Sequence, residues 1–285
     1  MNKKPIIDVI IPVYKPDNKL TALLDRLKRQ SVRPEKIIIM YTKESESDLC
    51  PLKDPGLEIH ELSKDDFDHG GTRNEGAGFS NAEYMLFMTQ DAVPSDNLLV
   101  EKLLEGFKSD KTAVCYARQL PRENASLSER FSREFNYPPV SLTKNGKDLK
   151  TLGIKAFFCS NVCAMYDREI FNRLGGFTDR TVFNEDMIYA RKALDSGYDI
   201  VYKADASVIH SHDLTNMDQF RRNMLIARSQ KAYPEVFGDV SSESEGIRYV
   251  REAYSYFRQN KKGYYIIPFI ITCGFRFAGF RLGKL

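Results

Sequence analysis

The sequence predicts an α/β fold, with a mostly parallel central sheet, flanking helices and a helical C-terminal region. Short β-branched apolar runs recur from residue 6 to residue 209, beginning with IIDVIIPVY over 6–14. Segments of helical period separate them, an alternation that favours parallel strands joined by crossovers. Beyond residue 215 the chain reads as successive helices. With 285 residues and a hydrophobic fraction of 42%, the chain is able to bury a sizeable core. Its 28% charged residues suit a folded surface rather than a disordered polymer.

The first strand, 6–14, contains Pro12 and ends at Tyr14. Asp17 or Asn18 then caps a helix running to about Gln30, with Leu20, Leu23, Leu24 and Leu27 on one face. KIIIMY over 36–41 is a second strand, and 57–62 a third. Glycines in the stretch Phe67-Asp68-His69-Gly70-Gly71-Thr72-Arg73-Asn74 permit a sharp turn before a short helix. YMLFMT over 84–89 is another buried strand, with Gln90-Asp91 directly at its C-terminal end. A helix over 96–108 and a strand over 112–117 extend the alternation. Residues 118–156, broken by Pro121, Pro138, Pro139, Gly146 and Gly153, are expected to be irregular, as an acceptor-side loop or a plain surface excursion.

A strand within 157–166, a short helix and the turn Gly175-Gly176-Phe177 come next. A helix over 185–196 starts with Glu185-Asp186, and short strands are expected at 199–202 and 206–209. Helices over 216–233 and about 242–262 follow, so the expected division is 1–214 and 215–285. No fixed-period repeat or low-complexity tract is present.

Composition excludes several classes. The 42 basic and 39 acidic residues nearly balance, so nucleic acid is not an expected partner. Five scattered cysteines make no disulfide scaffold, and Cys159 and Cys163 lack companions for a zinc site. The N-terminal apolar run is broken at Asp8 and Pro12, unlike a signal peptide, which gives cytosolic residence as the expectation. Neither GxxxxGK[ST] nor GxGxxG occurs at the glycine turn, which argues against a P-loop or a nicotinamide site.

Several residues carry chemistry of their own. Asp91, at a strand end, either ligates a cation in the crevice of an open sheet or caps the next helix. His210 and His212 are two apart, so an extended strand points both to one face. Glu185 and Asp186 open a helix, where acids either complement the dipole or do chemistry. Arg73 offers a fork for phosphate or carboxylate, and Tyr14 an aromatic face with a hydroxyl.

Taken together, Pro12-Val13-Tyr14, His69-Gly70-Gly71-Thr72-Arg73-Asn74, Thr89-Gln90-Asp91-Ala92 and Asn184-Glu185-Asp186-Met187 occur in an order that resembles the family-2 glycosyltransferases. The likeness covers most of residues 6–212 and implies a GT-A fold. It is closest to bacterial rhamnosyltransferases that use dTDP-rhamnose to build surface polysaccharides. Two positions depart from the common pattern. Thr42-Lys43-Glu44-Ser45 replaces the acidic motif after the second strand, and Gln90 replaces one carboxylate of the metal motif.

The resemblance implies that Asp91 binds Mg2+ or Mn2+, aided by His212 or His210. It assigns the catalytic base to Asp186, with Glu185 orienting neighbours or contacting the acceptor. It also places Pro12, Tyr14, Glu44, Asp68, Arg73, Asn74 and Gln90 around a nucleotide-sugar donor. The acceptor is expected to be a glycan, in particular a lipid-linked one. UDP-sugar hexosyl transfer on the same fold, and glycan or nucleotide binding without catalysis, are the alternatives.

The C-terminal stretch YYIIPFIITCGFRFAGFRLGKL interleaves aromatic and basic residues. Its unbroken apolar part is shorter than a spanning helix, so it reads as a segment for an anionic membrane surface or as a packed terminal helix. The corresponding location is the inner face of the cell membrane.

Overall fold

A computed structural model describes residues 4–240 and 243–285. Met1, Asn2 and Lys3 of the basic N-terminus, and residue 242 where the penultimate helix was expected to begin, lie outside the described residues.

Strand β1 (Ile7–Tyr14) is followed by helix α1 (Asn18–Lys28), which buries the four leucines of its apolar face. Asp17 caps α1, accepting from the Lys19 amide at 2.9 Å. Next come β2 (Lys36–Lys43), β3 (Leu57–Ser63), α2 (His69–Gly78), β4 (Tyr84–Met88) and β5 (Val93–Pro94). Buried Asp8 ties β1 to its surroundings, accepting from the Lys36 amide at 3.1 Å and the Ser80 hydroxyl at 2.7 Å.

The expected helix over 96–108 is the shorter α3 (Leu99–Leu104), because Asp96 accepts from the Leu98 amide and holds a turn before it. β6 (Thr112–Leu120) leads into the stretch expected to be irregular. That stretch instead contains α4 (Leu127–Asn136), β7 (Leu142–Lys144) and α5 (Leu149–Leu152). The cap of α4 was legible as Ser126 three residues before Glu129: the Ser126 hydroxyl accepts from the Glu129 amide at 3.2 Å.

β8 (Cys163–Asp167), α6 (Arg168–Arg173), α7 (Glu185–Asp195) and β9 (Asp199–Ile209) complete the α/β portion. The two strands expected at 199–202 and 206–209 are one. A register shift against β6 between Ala117 and Arg118 absorbs Ala204–Ala206 without ending the strand.

The sheet runs β3-β2-β1-β4-β8-β6-β9-β5, with β7 on β9. β3, β2, β1 and β4 are parallel, as are β6 and β9. β8 is antiparallel to both β4 and β6. Alternation along the strands divides the core between the two faces: Ile10, Ile38, Met40 and Phe87 on one, Val9, Ile11, Ile39 and Leu86 on the other.

Helices α8 (Asn216–Ala232), α9 (Pro234–Phe237), α10 (Glu243–Gln259) and α11 (Ile266–Lys284) close the chain. A Cβ on Gly279 would meet the Phe220 carbonyl oxygen at 2.2 Å, so α11 lies against the α8 backbone there. α11 runs through Arg276 without a break, so the helix is longer than the unbroken apolar run within it. Gly263–Lys284 is long and apolar enough to cross a membrane by length and composition, with only 17% of its apolar window buried. Ile267, Ile270, Ile271 and Phe277 are exposed on it.

Candidate active site

The ends of β1, β4 and β9 and the start of α7 assemble the predicted residues into two groups. At the first, Gln90 bonds both ways with the Tyr14 backbone, accepting from its amide at 2.8 Å and donating to its carbonyl at 2.9 Å. This fixes the turn after β4 against the end of β1. The Tyr14 hydroxyl donates to Glu44 at 2.9 Å, and Lys15 pairs with the same carboxylate at 2.8 Å. Tyr14, Glu44 and Gln90 thus line one neighbourhood at the C-terminal ends of β1 and β4, with Pro12 two residues earlier on β1.

Asp91 follows Gln90 and faces both histidines of the β9 end. Its oxygens lie 3.5 Å from His210 Nε2 and 3.5 Å from His212 Nε2. The two imidazole nitrogens are 2.8 Å apart, and all three potential ligand atoms fall within 4.8 Å of one another. Burial works to raise the Asp91 carboxyl, but the imidazoles beside it prevail and hold it well below the usual carboxylate range. Burial, then His210, push His212 down to about 4, and burial lowers His210 too. At neutral pH the group therefore presents a carboxylate and two neutral imidazoles.

Gln119 on β6, which sequence reading missed, orients this group. Its Oε1 accepts from Arg133 and lies 2.9 Å from His210 Nδ1. Arginine only donates, so the atom facing it is the amide oxygen, and His210 Nδ1 must carry its proton. The Nε2 lone pair then points toward Asp91 and His212, as a ligating histidine requires. Glu129 of α4 accepts from the Ser211 hydroxyl at 2.6 Å and the His212 amide at 3.2 Å, holding the segment between the histidines.

The second group is Glu185 and Asp186. Asn184 just before them has φ of 69°, a left-handed conformation uncommon outside glycine, which sets the sharp entry into α7. Asp186 accepts from the Asn161 amide at 3.1 Å and from the Met187 amide at 2.8 Å. Burial first, and the Glu185 charge second, push Asp186 up to about 7. Glu185 accepts from Asn161 Nδ2 at 3.1 Å and pairs with Arg73 at 3.4 Å.

The glycine-turn residues serve the second group. Asp68 caps α2, accepting from the Gly71 amide at 2.6 Å and the Arg180 amide at 3.0 Å. Asn74, expected at the donor, clasps the Phe177 backbone instead, accepting from its amide at 2.9 Å and donating to its carbonyl at 2.8 Å. Arg73, also expected at the donor, is buried and donates to the His69 carbonyl at 2.7 Å besides pairing with Glu185. A Cβ on Gly70 would meet the Thr178 carbonyl oxygen at 2.0 Å, so only glycine lets this turn seat the loop that leads to α7.

The two groups are linked by a short polar path. Gln119 Nε2 donates to the Ser160 hydroxyl at 3.0 Å, and the next residue, Asn161, contacts both Glu185 and Asp186. One carboxylate and two imidazoles fit a divalent ion, and a half-buried carboxyl titrating near neutrality fits a general base.

Known proteins resemble this chain in sequence and in fold. The sequence model of the family described as Glycosyl transferase family 2 matches residues 8–175. An O-antigen chain rhamnosyltransferase of Salmonella typhimurium is 33% identical over 282 residues, covering 98% of this chain and 89% of that protein. A second O-antigen chain rhamnosyltransferase, from Salmonella anatum, is 31% identical over 283 residues, covering 98% and 90%. Among solved structures, a mannosyltransferase from Pyrobaculum calidifontis in complex with GDP-Man and Mn2+ aligns with a TM-score of 0.61 at 15% identity. That alignment covers 96% of this chain and 76% of the other. S. aureus TarS with UDP-GlcNAc aligns at 0.55 and 11% identity, covering 98% and 90%. These two likenesses establish a shared GT-A-like architecture.

Proposed function

The chain belongs to glycosyl transferase family 2, and we propose that it transfers L-rhamnose from dTDP-β-L-rhamnose, with inversion, to a hydroxyl of a growing, lipid-linked bacterial surface polysaccharide. The rhamnose reading rests on the two O-antigen relatives that span nearly the whole chain. The observation that carries the mechanism is the pair of groups joined through Gln119, Ser160 and Asn161.

In this reading Pro12, Tyr14, Glu44 and Gln90 frame the nucleoside. Asp91, His210 and His212 hold the divalent ion, and two imidazoles among three ligands favour Mn2+ over Mg2+. When bound, the ion offsets charge on the departing diphosphate. Asp186 takes the proton of the attacking hydroxyl, and its raised proton affinity suits that task near neutral pH. The Arg73–Glu185 pair stands beside Asp186, which the Asn161 amide holds, while Asp68 and Asn74 support the loop beneath.

Residues 1–214 carry the chemistry and 215–285 seat the enzyme at the cytoplasmic membrane face. The exposed apolar side of α11 supports that seat, because contiguous exposed apolar surface marks an interaction site. Replacing Ile267, Ile270, Ile271 and Phe277 with serine is expected to abolish flotation with anionic vesicles and leave donor turnover on a soluble acceptor intact.

A donor screen tests the function. Purified protein is given dTDP-rhamnose, UDP-sugars or GDP-mannose, with Mn2+, Mg2+ or chelator, and a lipid-linked acceptor. Rhamnosyl product formed only with metal is the expected result. Transfer from a UDP-sugar with none from dTDP-rhamnose overturns the rhamnose assignment.

A further inference from the structure

A cavity of about 770 Å³ lies apart from the two groups and shares no lining residue with them. Helix α4 stands between. Its Glu129 and Arg133 serve the histidine end, whereas Phe131, Glu134 and Phe135 occupy the opposite side of the helix and line the cavity. β7, α5 and α10 supply further walls. Lys144 on β7 donates to the Tyr116 hydroxyl at 3.2 Å, to the Lys155 carbonyl at 3.2 Å and to the Phe158 carbonyl. These bonds tie the cavity to segment 155–158. Phe158 is three residues before Asn161, whose amide holds Asp186, so at most about 11 Å of chain separates the cavity from the holder of the base.

The cations at the cavity are already engaged. Lys155 pairs with Glu245 at 3.2 Å and stands 4.0 Å from the centre of the Phe135 ring. Arg248 pairs with the same Glu245 at 2.8 Å and lies 3.7 Å from Glu252. The Lys144 amine is spent on three neutral oxygens. Three other lining groups are free to bind: among the described residues, the Glu134 carboxylate, the Tyr256 hydroxyl and the Gln259 amide group make no hydrogen bond or ion pair. The Glu134 charge acts on Tyr256, so these two stand together. Phe158 and Tyr256 are only half-buried, which leaves aromatic surface open beside them.

We infer that this cavity binds a neutral oligosaccharide, the earlier-built part of the acceptor glycan, apart from the sugar presented to Asp186. The inference rests on the transferase reading above. A phosphate group needs an unspent cation, and the cavity has none among the described residues. A hydrocarbon chain would strip water from the unpaired Glu134 carboxylate and give it no partner. A sugar ring matches what remains. Its C–H face packs on an aromatic ring, and its hydroxyls donate to Glu134 and exchange hydrogen bonds with Tyr256 and Gln259. No bond breaks at this second site. Holding the chain at two places raises the apparent affinity for a long acceptor over a short one.

The test uses the full chain with Mn2+ and the preferred donor. Two acceptors end in the same sugar, one a monosaccharide glycoside and the other an oligosaccharide glycoside. Glu134→Ala combined with Tyr256→Phe is expected to raise KM for the oligosaccharide about tenfold more than KM for the monosaccharide, as for two lost hydrogen bonds. Tyr254→Phe, exposed on α10 outside the cavity, should match the wild type. Direct binding is read by fluorescence, because the chain has no tryptophan. Val140→Trp puts a single fluorophore at the exposed rim of the cavity. Its emission should shift saturably with the free oligosaccharide, and not with pyrophosphate or decyldimethylamine oxide. Adding Glu134→Ala and Tyr256→Phe should remove the shift. Melting temperatures identify a variant that fails to fold; Gln259→Ala, at the exposed end of α10, then takes its place. Equal KM changes for the two acceptors in folded variants overturn the inference, as does a shift caused by pyrophosphate or the amine oxide rather than by glycan; continued donor turnover then leaves the transferase reading intact. A glycan shift without transfer to either acceptor overturns the transferase reading and leaves the glycan site supported.

Discussion

Asp91 and Asp186 are the same side chain at two ends of one polar path through Gln119, Ser160 and Asn161, and their surroundings drive them in opposite directions. Both feel burial, which raises a carboxyl. Asp91 faces two imidazoles, which prevail and keep it ionised. Asp186 sits beside Glu185, whose charge adds to burial and carries it from an ordinary 3.8 to about 7. Burial pushes both carboxyls the same way, so the sign of the partner's charge separates the carboxylate suited to be a ligand from the one suited to be a base. Sites that need both an electrostatic clamp and a proton acceptor are built by pushing similar groups apart in this way.

The comparison breaks most visibly at the base. Asp186→Asn should lower turnover by about a thousandfold while donor affinity stays near wild type, since charge is lost with little change of volume. Single-turnover rates and calorimetry on one preparation check this, and equal turnover in both proteins removes Asp186 from its role. At the other end, Asp91→Asn should weaken Mn2+-dependent donor binding by about a hundredfold, and leave any metal-independent binding alone. A smaller effect is expected one step back. Gln119→Leu leaves His210 without its orienting acceptor and should reduce metal affinity roughly tenfold, read by Mn2+ titration.

pH sharpens the contrast. The base acts deprotonated, so kcat/KM should fall about tenfold per unit below pH about 7 and level off above it. The folded state holds the Asp186 proton more tightly than the unfolded chain does. Stability is therefore greatest below the ordinary value of 3.8 and declines as pH rises toward about 7. Asp186→Asn lacks that decline, so its melting temperature should gain on the wild type between pH 5 and 8, a difference of a few degrees.

The parallel half of the sheet, from β1 to β4, follows from apolar runs and helical spacing, and strand ends located Asp91 and the two histidines. The amphipathic helix α4 was missed because two prolines and two glycines further along the same stretch outweighed its short cap signal at Ser126. Its loss mattered, since α4 supplies Glu129 and Arg133 to the histidine end. Arg73 and Asn74 were legible as functional, but their partners within the fold were not. Their residue types fit phosphate or sugar as well as they fit Glu185 and the Phe177 backbone.

What the order of amino acids settled was local: which stretches become strands and helices, and which reactive groups stand at their ends. Those outcomes depend on periodicity, caps and turn chemistry within a few residues. The role of Gln119 and the environment of Asp91 belonged to the assembled molecule. Gln119 meets His210 across 91 positions of chain, through a register between β6 and β9 that no local pattern encodes. Proton affinity and ligand geometry depend on distances and burial, and these arise only when remote segments pack.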